Sequence, residues 1–314
     1  MDRPTAPWSA EHDAFAKSAI KGLTASPKAM EPRWLYDSVG AKLFEAITKL
    51  DHYYLTRTET ALIKAHAGAI ADALGDGVTI VEPGSGEALK VRPILSALGE
   101  RAQGYVPIDI ASEQLESVVK EMAALFPDLS VEGIATDFFR PFEMDKPSRA
   151  VVFFPGSTIG NMSPSTAVTF LRDLQMATGA ARFLIGFDLV KDRKVLVEAY
   201  DDPAGVTAAF KKNLLQRMNR ELGANFDLSK FQHRAYFAED RSAIRMGMVA
   251  MEALTVTVAG QDIQFAEGEE LHTEDSRKYT LESFAEFAAK ADLVPVQTWT
   301  DARDYFAVML LEKS

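Results

Sequence analysis

Apolar positions along the chain fall into two regimes. From residue 59 to residue 187, short β-branched or aromatic runs alternate with stretches of helical period, which predicts a parallel sheet covered by helices. A helix over 59–73 leads into strand 78–82, helix 87–98, strand 104–108, helix 112–125, strands 130–135 and 150–154, helix 164–177 and strand 182–187. The pattern changes near Asp188. Residues 192–222 read as long helices interrupted at Asp201-Asp202-Pro203-Ala204-Gly205. Ile244 to Val258 then alternates as in an antiparallel sheet, with a hairpin turn at Gly260-Gln261 before Ile263 and Phe265 resume the alternation. A helix over 281–291 and two runs, 294–300 and 305–311, joined by Asp301-Ala302-Arg303-Asp304, form a last unit ending in a β-hairpin. At the other end, 9–25 carries Phe15, Ala19, Ile20 and Leu23 near one helical face, until Pro27 and Pro32 break the pattern.

These elements predict an α/β fold: a doubly wound, mostly parallel seven-stranded sheet with a closing antiparallel hairpin, plus a second α+β domain. The sheet domain is expected over 58–192 and 280–314. The second domain is expected over 1–57 and 193–279, its latter part inserted before the closing unit. Within the sheet, Val78-Thr79-Ile80-Val81-Glu82-Pro83-Gly84-Ser85-Gly86 is a strand ending in an acid and a Gly-x-Gly turn, the phosphate-side loop of such domains. A dinucleotide fingerprint would place glycine where Leu89 stands; what remains is the looser E-x-G-x-G of S-adenosylmethionine (SAM) methyltransferases. Asp109 follows the strand-like run Gly104–Ile108, 23 positions past Gly86, where a ribose-binding carboxylate belongs. An ordinary strand-to-helix turn and a helix cap remain the alternatives for these two features. The closing hairpin favours a methyltransferase over a dinucleotide dehydrogenase.

Bulk properties narrow the partners. With 45 acidic against 34 basic residues the formal net charge is −11, which disfavours nucleic acid or an anionic membrane and suits a small substrate. No cysteine is present, excluding disulfides, thiolate zinc sites and a cysteine nucleophile. The histidines His12, His52, His66, His233 and His272 show no metal-ligand spacing, so no metal is expected. Met1–Thr5 lacks the apolar core of a signal peptide, and no run approaches the ~18 apolar residues of a membrane span. A cytoplasmic monomer acting on a small molecule is the expectation.

Six motifs carry a more specific likeness: Tyr36-Asp37-x-x-Gly40, Tyr53-Tyr54-x-Thr56-Arg57-x-Glu59, Phe154-Pro155-Gly156-Ser157-Thr158-Ile159-Gly160-Asn161, Asp188-Leu189-Val190-Lys191-Asp192, Gly205-Val206-Thr207-Ala208-Ala209-Phe210 and His272-Thr273-Glu274-x-Ser276. In that order, from about Gly22 to Leu310, the chain resembles the histidine-specific Nα-methyltransferases of ergothioneine biosynthesis, which have the class I SAM-methyltransferase fold. The resemblance implies trimethylation of the α-amino group of L-histidine to hercynine with SAM as methyl donor. By the same resemblance Tyr36, Gly84, Gly86, Lys90, Asp109, Asp137 and Phe138 match cofactor-binding positions. Tyr53, Asn161, Tyr200, Glu274 and Ser276 match the histidine pocket, with Met246 as pocket wall and Thr207 counted among the substrate contacts. Asn161 and Tyr200 are implied to hold the substrate carboxylate, and Glu274 and Ser276 to read the imidazole. Glu274 is further expected to favour the protonated ring.

Each assignment has a plainer counterpart. Asn161 can shape a turn or cap, Glu274 can lie in a solvated acidic loop, Tyr200 can be core, and Lys90 can sit solvated at a helix start. The chain also departs from the family, reading Ala243-Ile244-Arg245-Met246 where Arg-Ile-Glu-Met is frequent, with Asp275 and Arg277 as local variants. A methyltransferase of the same fold acting on another amine, and a nicotinamide-dependent oxidoreductase or silent nucleotide-binding module, are the competing readings.

Overall fold

The computed structural model describes residues 10–314, so Met1–Thr5 and the first residue of the helix expected over 9–25 lie outside it. In chain order come α1 (Ala10–Leu23), α2 (Ser38–Thr48), α3 (Leu55–Leu74), β1 (Val78–Pro83), α4 (Arg92–Leu98), β2 (Ala102–Asp109), α5 (Ser112–Leu125), β3 (Ser130–Val131), β4 (Ile134–Ala135), β5 (Ala150–Phe154), α6 (Pro164–Thr178), β6 (Arg182–Asp188), α7 (Arg193–Glu198), α8 (Val206–Leu222), β7 (Phe231–Ala238), β8 (Ala243–Ala250), β9 (Leu254–Val258), β10 (Gln261–Phe265), β11 (Glu270–Arg277), α9 (Leu281–Ala289), β12 (Leu293–Thr300) and β13 (Phe306–Lys313). They divide into two compact units. Met1–Tyr54 with Lys191–Arg277, described from Ala10, is the first; Leu55–Val190 with Lys278–Ser314 is the second.

The second unit is built on one sheet in the order β12-β13-β6-β5-β1-β2-β3, with β4 also pairing with β2. β1, β2, β5 and β6 run parallel, whereas β13 is antiparallel to both β6 and β12. All five residues of β5 are buried, as a parallel strand covered on both faces requires. Ser163 caps α6 by accepting from the Thr166 amide, Pro164 fits the first turn, and Gly179 at φ +69° ends the helix.

Two expectations in this unit need correction. The helix expected over 87–98 begins only at Arg92: Ala88 adopts φ +50°, and Lys90 is drawn to Glu59 on α3, so residues 87–91 extend the loop after β1. The strand expected over 130–135 is two separate two-residue strands, β3 and β4, interrupted where the chain at Gly133 lies so close to α5 that a Cβ would come within 2.7 Å of Val119.

The first unit holds a three-stranded antiparallel sheet, β11-β8-β7, and the β9–β10 hairpin, with α1, α2, α7 and α8. The hairpin loop is Ala259-Gly260, both at positive φ, the two-residue turn that matches strand twist, one position before the expected site. In β11 the register shifts between His272 and Glu274, leaving Thr273 as an extra residue whose hydroxyl donates to the Met246 carbonyl at 3.1 Å. This bulge buries Thr273 and Glu274 in succession and sets Glu274 and Ser276 on the inner face. The solvated acidic loop that stood as the plainer alternative for Glu274 is therefore a strand. Among the described residues no helix is long and apolar enough to cross a membrane.

Gly186 in β6 lies against α3, where an added Cβ would meet a Glu59 carboxylate oxygen at 2.0 Å. Gly186→Ala should cost about 3 kcal/mol or more by urea denaturation. In contrast, Gly68→Ala on the exposed face of α3, with open space around the new methyl, should stabilise by about 0.5–1 kcal/mol.

Candidate active site

In the second unit the loop after β1 turns across the end of β2. Gly84 and Ser85 donate backbone N–H groups to the Ile108 carbonyl at 2.7 and 3.3 Å, and Gly86 N–H points at Asp109 Oδ2 at 3.3 Å. Gly84 (φ +70°) and Gly86 (φ +52°) hold left-handed backbone here. A Cβ on Gly84 would press on the Phe138 ring at 3.1 Å, so glycine keeps this cradle bare beside an aromatic face. Asp109 Oδ1 accepts from Ala111 N–H at 3.1 Å, so the carboxylate also shapes the entry to α5. Asp137 accepts from Phe139 N–H and pairs with Arg140 at 3.2 Å. Phe138 is seated on Phe139, Phe154 and Phe170.

Lys90 has a definite partner. Its ammonium lies 2.6 Å from the buried Glu59 carboxylate, which also accepts Gly156 N–H at 2.8 and 2.9 Å. Glu82, at the end of β1, is buried and accepts from the Tyr105 hydroxyl at 2.6 Å. Burial pushes the Glu82 carboxyl up to about 8, against the Tyr105 hydrogen bond and the Lys90 charge, which pull it down. Burial likewise pushes the Tyr105 phenol upward. Asn161 ends the turn Thr158–Asn161 in this unit; the helix-capping role open to it by sequence belongs instead to Ser163.

The first unit gathers most of the residues matched to the substrate. Tyr200 and Ser276 share a hydrogen bond at 2.8 Å, and Tyr53 meets the Tyr200 ring edge-on at 5.8 Å. His233 lies 2.8 Å from the Tyr200 carbonyl. Met246 pairs with Glu274 across β8 and β11. Tyr36, matched to the cofactor, lies in this unit against Phe44 and Phe210 with 41% of its surface exposed. Thr207 is buried in the first turn of α8, where Asp202 accepts from the Val206 and Thr207 amides.

One turn further along α8 is a residue that the sequence reading passed over. The Lys211 ammonium lies 2.5 Å from Glu274 Oε2, and both side chains are buried. The signal was present: Lys211 falls at helical spacing between Thr207 and the apolar Leu214, Leu215 and Met218, all buried.

A sheet of this order with an antiparallel penultimate position, a bare Gly-x-Gly cradle after its first strand and an acid at the end of its second defines a SAM-dependent methyltransferase. The chain belongs to the histidine-specific, SAM-dependent methyltransferase family, whose profile matches residues 15–313. It is 39% identical over 304 residues to a histidine N-alpha-methyltransferase of Mycolicibacterium smegmatis, covering 95% of this chain and 94% of the relative. A histidine N-alpha-methyltransferase of Mycobacterium tuberculosis is 37% identical, with 97% and 96% covered. Ergothioneine biosynthesis protein 1 of Neurospora crassa is 28% identical over 92% of this chain and 33% of its own length.

Glu82 gives a pH test. In the unfolded chain the carboxyl ionises near its ordinary value, whereas in the fold it keeps its proton until about pH 8. Its contribution to stability is thus present below the ordinary value and is lost as pH rises toward 8. Between pH 5 and 8 the wild type should lose stability relative to Glu82→Gln, by on the order of 3 kcal/mol at the upper end, in urea titrations of ligand-free protein.

Proposed function

We infer that the chain transfers methyl groups from SAM to the α-nitrogen of L-histidine, repeating until the trimethylammonium betaine hercynine is formed, the first step of ergothioneine biosynthesis. The observation that carries this reading is the histidine-specific family match over nearly the whole chain. It is supported by the bulged strand that turns Glu274 and Ser276 to one face, beside Met246.

Bound SAM supplies a methyl group on a sulfonium, which needs no further activation by the protein. The second unit's residues fit the donor: the bare Gly84 cradle would admit the cofactor close to the backbone, Asp109 would accept from ribose hydroxyls, and Asp137 with the Phe138 amide would read the adenine edge. Lys90, tied to Glu59, holds the loop rather than reaching out alone. For the acceptor, Tyr200 and Asn161 are assigned to the carboxylate and Glu274 with Ser276 to the ring. The attacking nitrogen must carry a lone pair, so each new N–C bond is preceded by loss of one proton to solvent, and the third methylation leaves a fixed positive charge. Tyr53 and Tyr36 offer aromatic faces to that charge. Catalysis by these residues is orientation, with the nitrogen brought to about 3–3.5 Å of the methyl carbon.

Asp109→Ala should weaken S-adenosylhomocysteine binding by roughly 10- to 150-fold in calorimetric titration, for a charge-assisted hydrogen bond worth about 1.5–3 kcal/mol. Specificity is best tested with Lys211→Met/Glu274→Leu, which removes a buried pair without orphaning either charge. Its kcat/KM for histidine should fall by roughly 10- to 200-fold while that for phenylalanine or tryptophan holds or rises. An unchanged preference order would remove Glu274 from the ring-reading role.

A further inference from the structure

The sequence expectation treats Glu274 as a lone carboxylate awaiting an imidazole and favouring its protonated form. The structure gives it a cation of the protein's own, Lys211, at 2.5 Å in a site where neither side chain is appreciably exposed. The ammonium also lies 5.0 Å from the Phe210 ring centroid. A carboxylate already neutralised in a poorly solvated site has little to offer a second cation: imidazolium would enter with its charge uncompensated and its hydration lost. A neutral imidazole loses much less, and its ring N–H is still a donor to the carboxylate.

We propose that Lys211 is a specificity residue, whose ion pair with Glu274 makes the site select the neutral imidazole of histidine and reject the imidazolium. This rests on the reading of Glu274 as the group that faces the ring. It reverses the protonation preference that Glu274 would have alone, and it places the switch on α8 rather than among the residues assigned to the ligand.

The groups around the pair bear on the test. Tyr36, Tyr53 and Tyr200 contribute phenols, and Asp201, Asp202, Asp275 and Arg245, the last paired with Glu270, are among the charged side chains acting on this region. Two histidines are also near: burial pushes His272 down to about 4 and lowers His233 from its ordinary value. Because His233 titrates somewhere below that value, the experiment must separate ring protonation in the ligand from protonation of the protein.

Full-length protein saturated with S-adenosylhomocysteine is titrated calorimetrically with L-histidine at pH 7.5 and 5.5, and in parallel with 1,2,4-triazolylalanine, whose ring stays neutral across this range. Wild-type affinity for histidine should fall roughly four- to tenfold on acidification, following the neutral fraction of an imidazole at or somewhat below the ordinary side-chain value of about 6.5, since free histidine carries an α-ammonium close to the ring. Affinity for triazolylalanine should change less than about twofold. Lys211→Met, which leaves Glu274 without its cation, should bind histidine as well or better at pH 5.5, while the charge-conserving Lys211→Arg should keep the wild-type loss. If Lys211→Met does not fold, Lys211→Gln keeps a donor on Glu274 without the charge and gives the same readout. The proposal is overturned if wild-type affinity for histidine is flat or rises on acidification, or if triazolylalanine shows the same loss. It is equally overturned if the neutral variants keep the wild-type slope. Absence of histidine binding at pH 7.5 is a separate result that removes the functional reading, and this inference with it.

Discussion

The second unit depends on one buried carboxylate. Glu59 projects from α3 with none of its surface exposed and takes Lys90 from the loop after β1 and the Gly156 amide from the loop after β5, while Gly186 of β6 leaves room for it by lacking a side chain. A lone buried charge would be costly, and the Lys90 ammonium and the Gly156 N–H answer that cost from two loops, with Gly186 supplying only the space. The result is geometric: the two loops at the carboxyl edge of the sheet are tied to a common point, which fixes the cradle at Gly84 and the turn leading to Asn161. A fully buried pair, Lys278 with Asp188 at 2.7 Å, does the same for the chain entering α9.

Much of this unit was legible because its residues leave few choices. The β-branched run Val78–Val81 ending at Gly84, and the uninterrupted apolar Ala150–Phe154, can be buried on both faces only as strands of a covered sheet. The closing hairpin was equally plain from Val294 to Leu311. What failed was local backbone conformation. The signal passed over was Pro93, which fits the first turn of a helix beginning at Arg92 but, lacking an N–H and clashing with the carbonyl four residues back, cannot lie inside one beginning at Glu87; the pull of Glu59 on Lys90 and the left-handed Ala88 complete the loop.

The first unit was harder to read for a different reason. β11 is rich in acids, and its bulge at Thr273 breaks the period of two by which strands announce themselves, so Glu270–Arg277 looked like a solvated loop. β7 alternates, but with Gln232, His233 and Arg234 among its residues it resembles no ordinary strand. Lys211 was hidden by the general rule that lysines face water, a rule that holds until a partner such as Glu274 is buried opposite. The candidate site was therefore visible as a set of motif residues, whereas the interactions that set its electrostatics were not.

The position of β13 has a consequence for how the protein is made. It lies between β6 and β12, antiparallel to both, so β6 has no neighbour on that side until Phe306–Lys313 arrives, a sequence separation of 130 between Arg182 and its partner Glu312. During synthesis, six successive buried residues of β6 present an open hydrogen-bonding edge over the time needed to translate the intervening chain. The first unit has the same dependence, since Asp37 reaches Asn213 only across 176 positions. Both units thus hold contacts between distant parts of the chain, and pairings of that kind form slowly and leave edges open to other chains until they close.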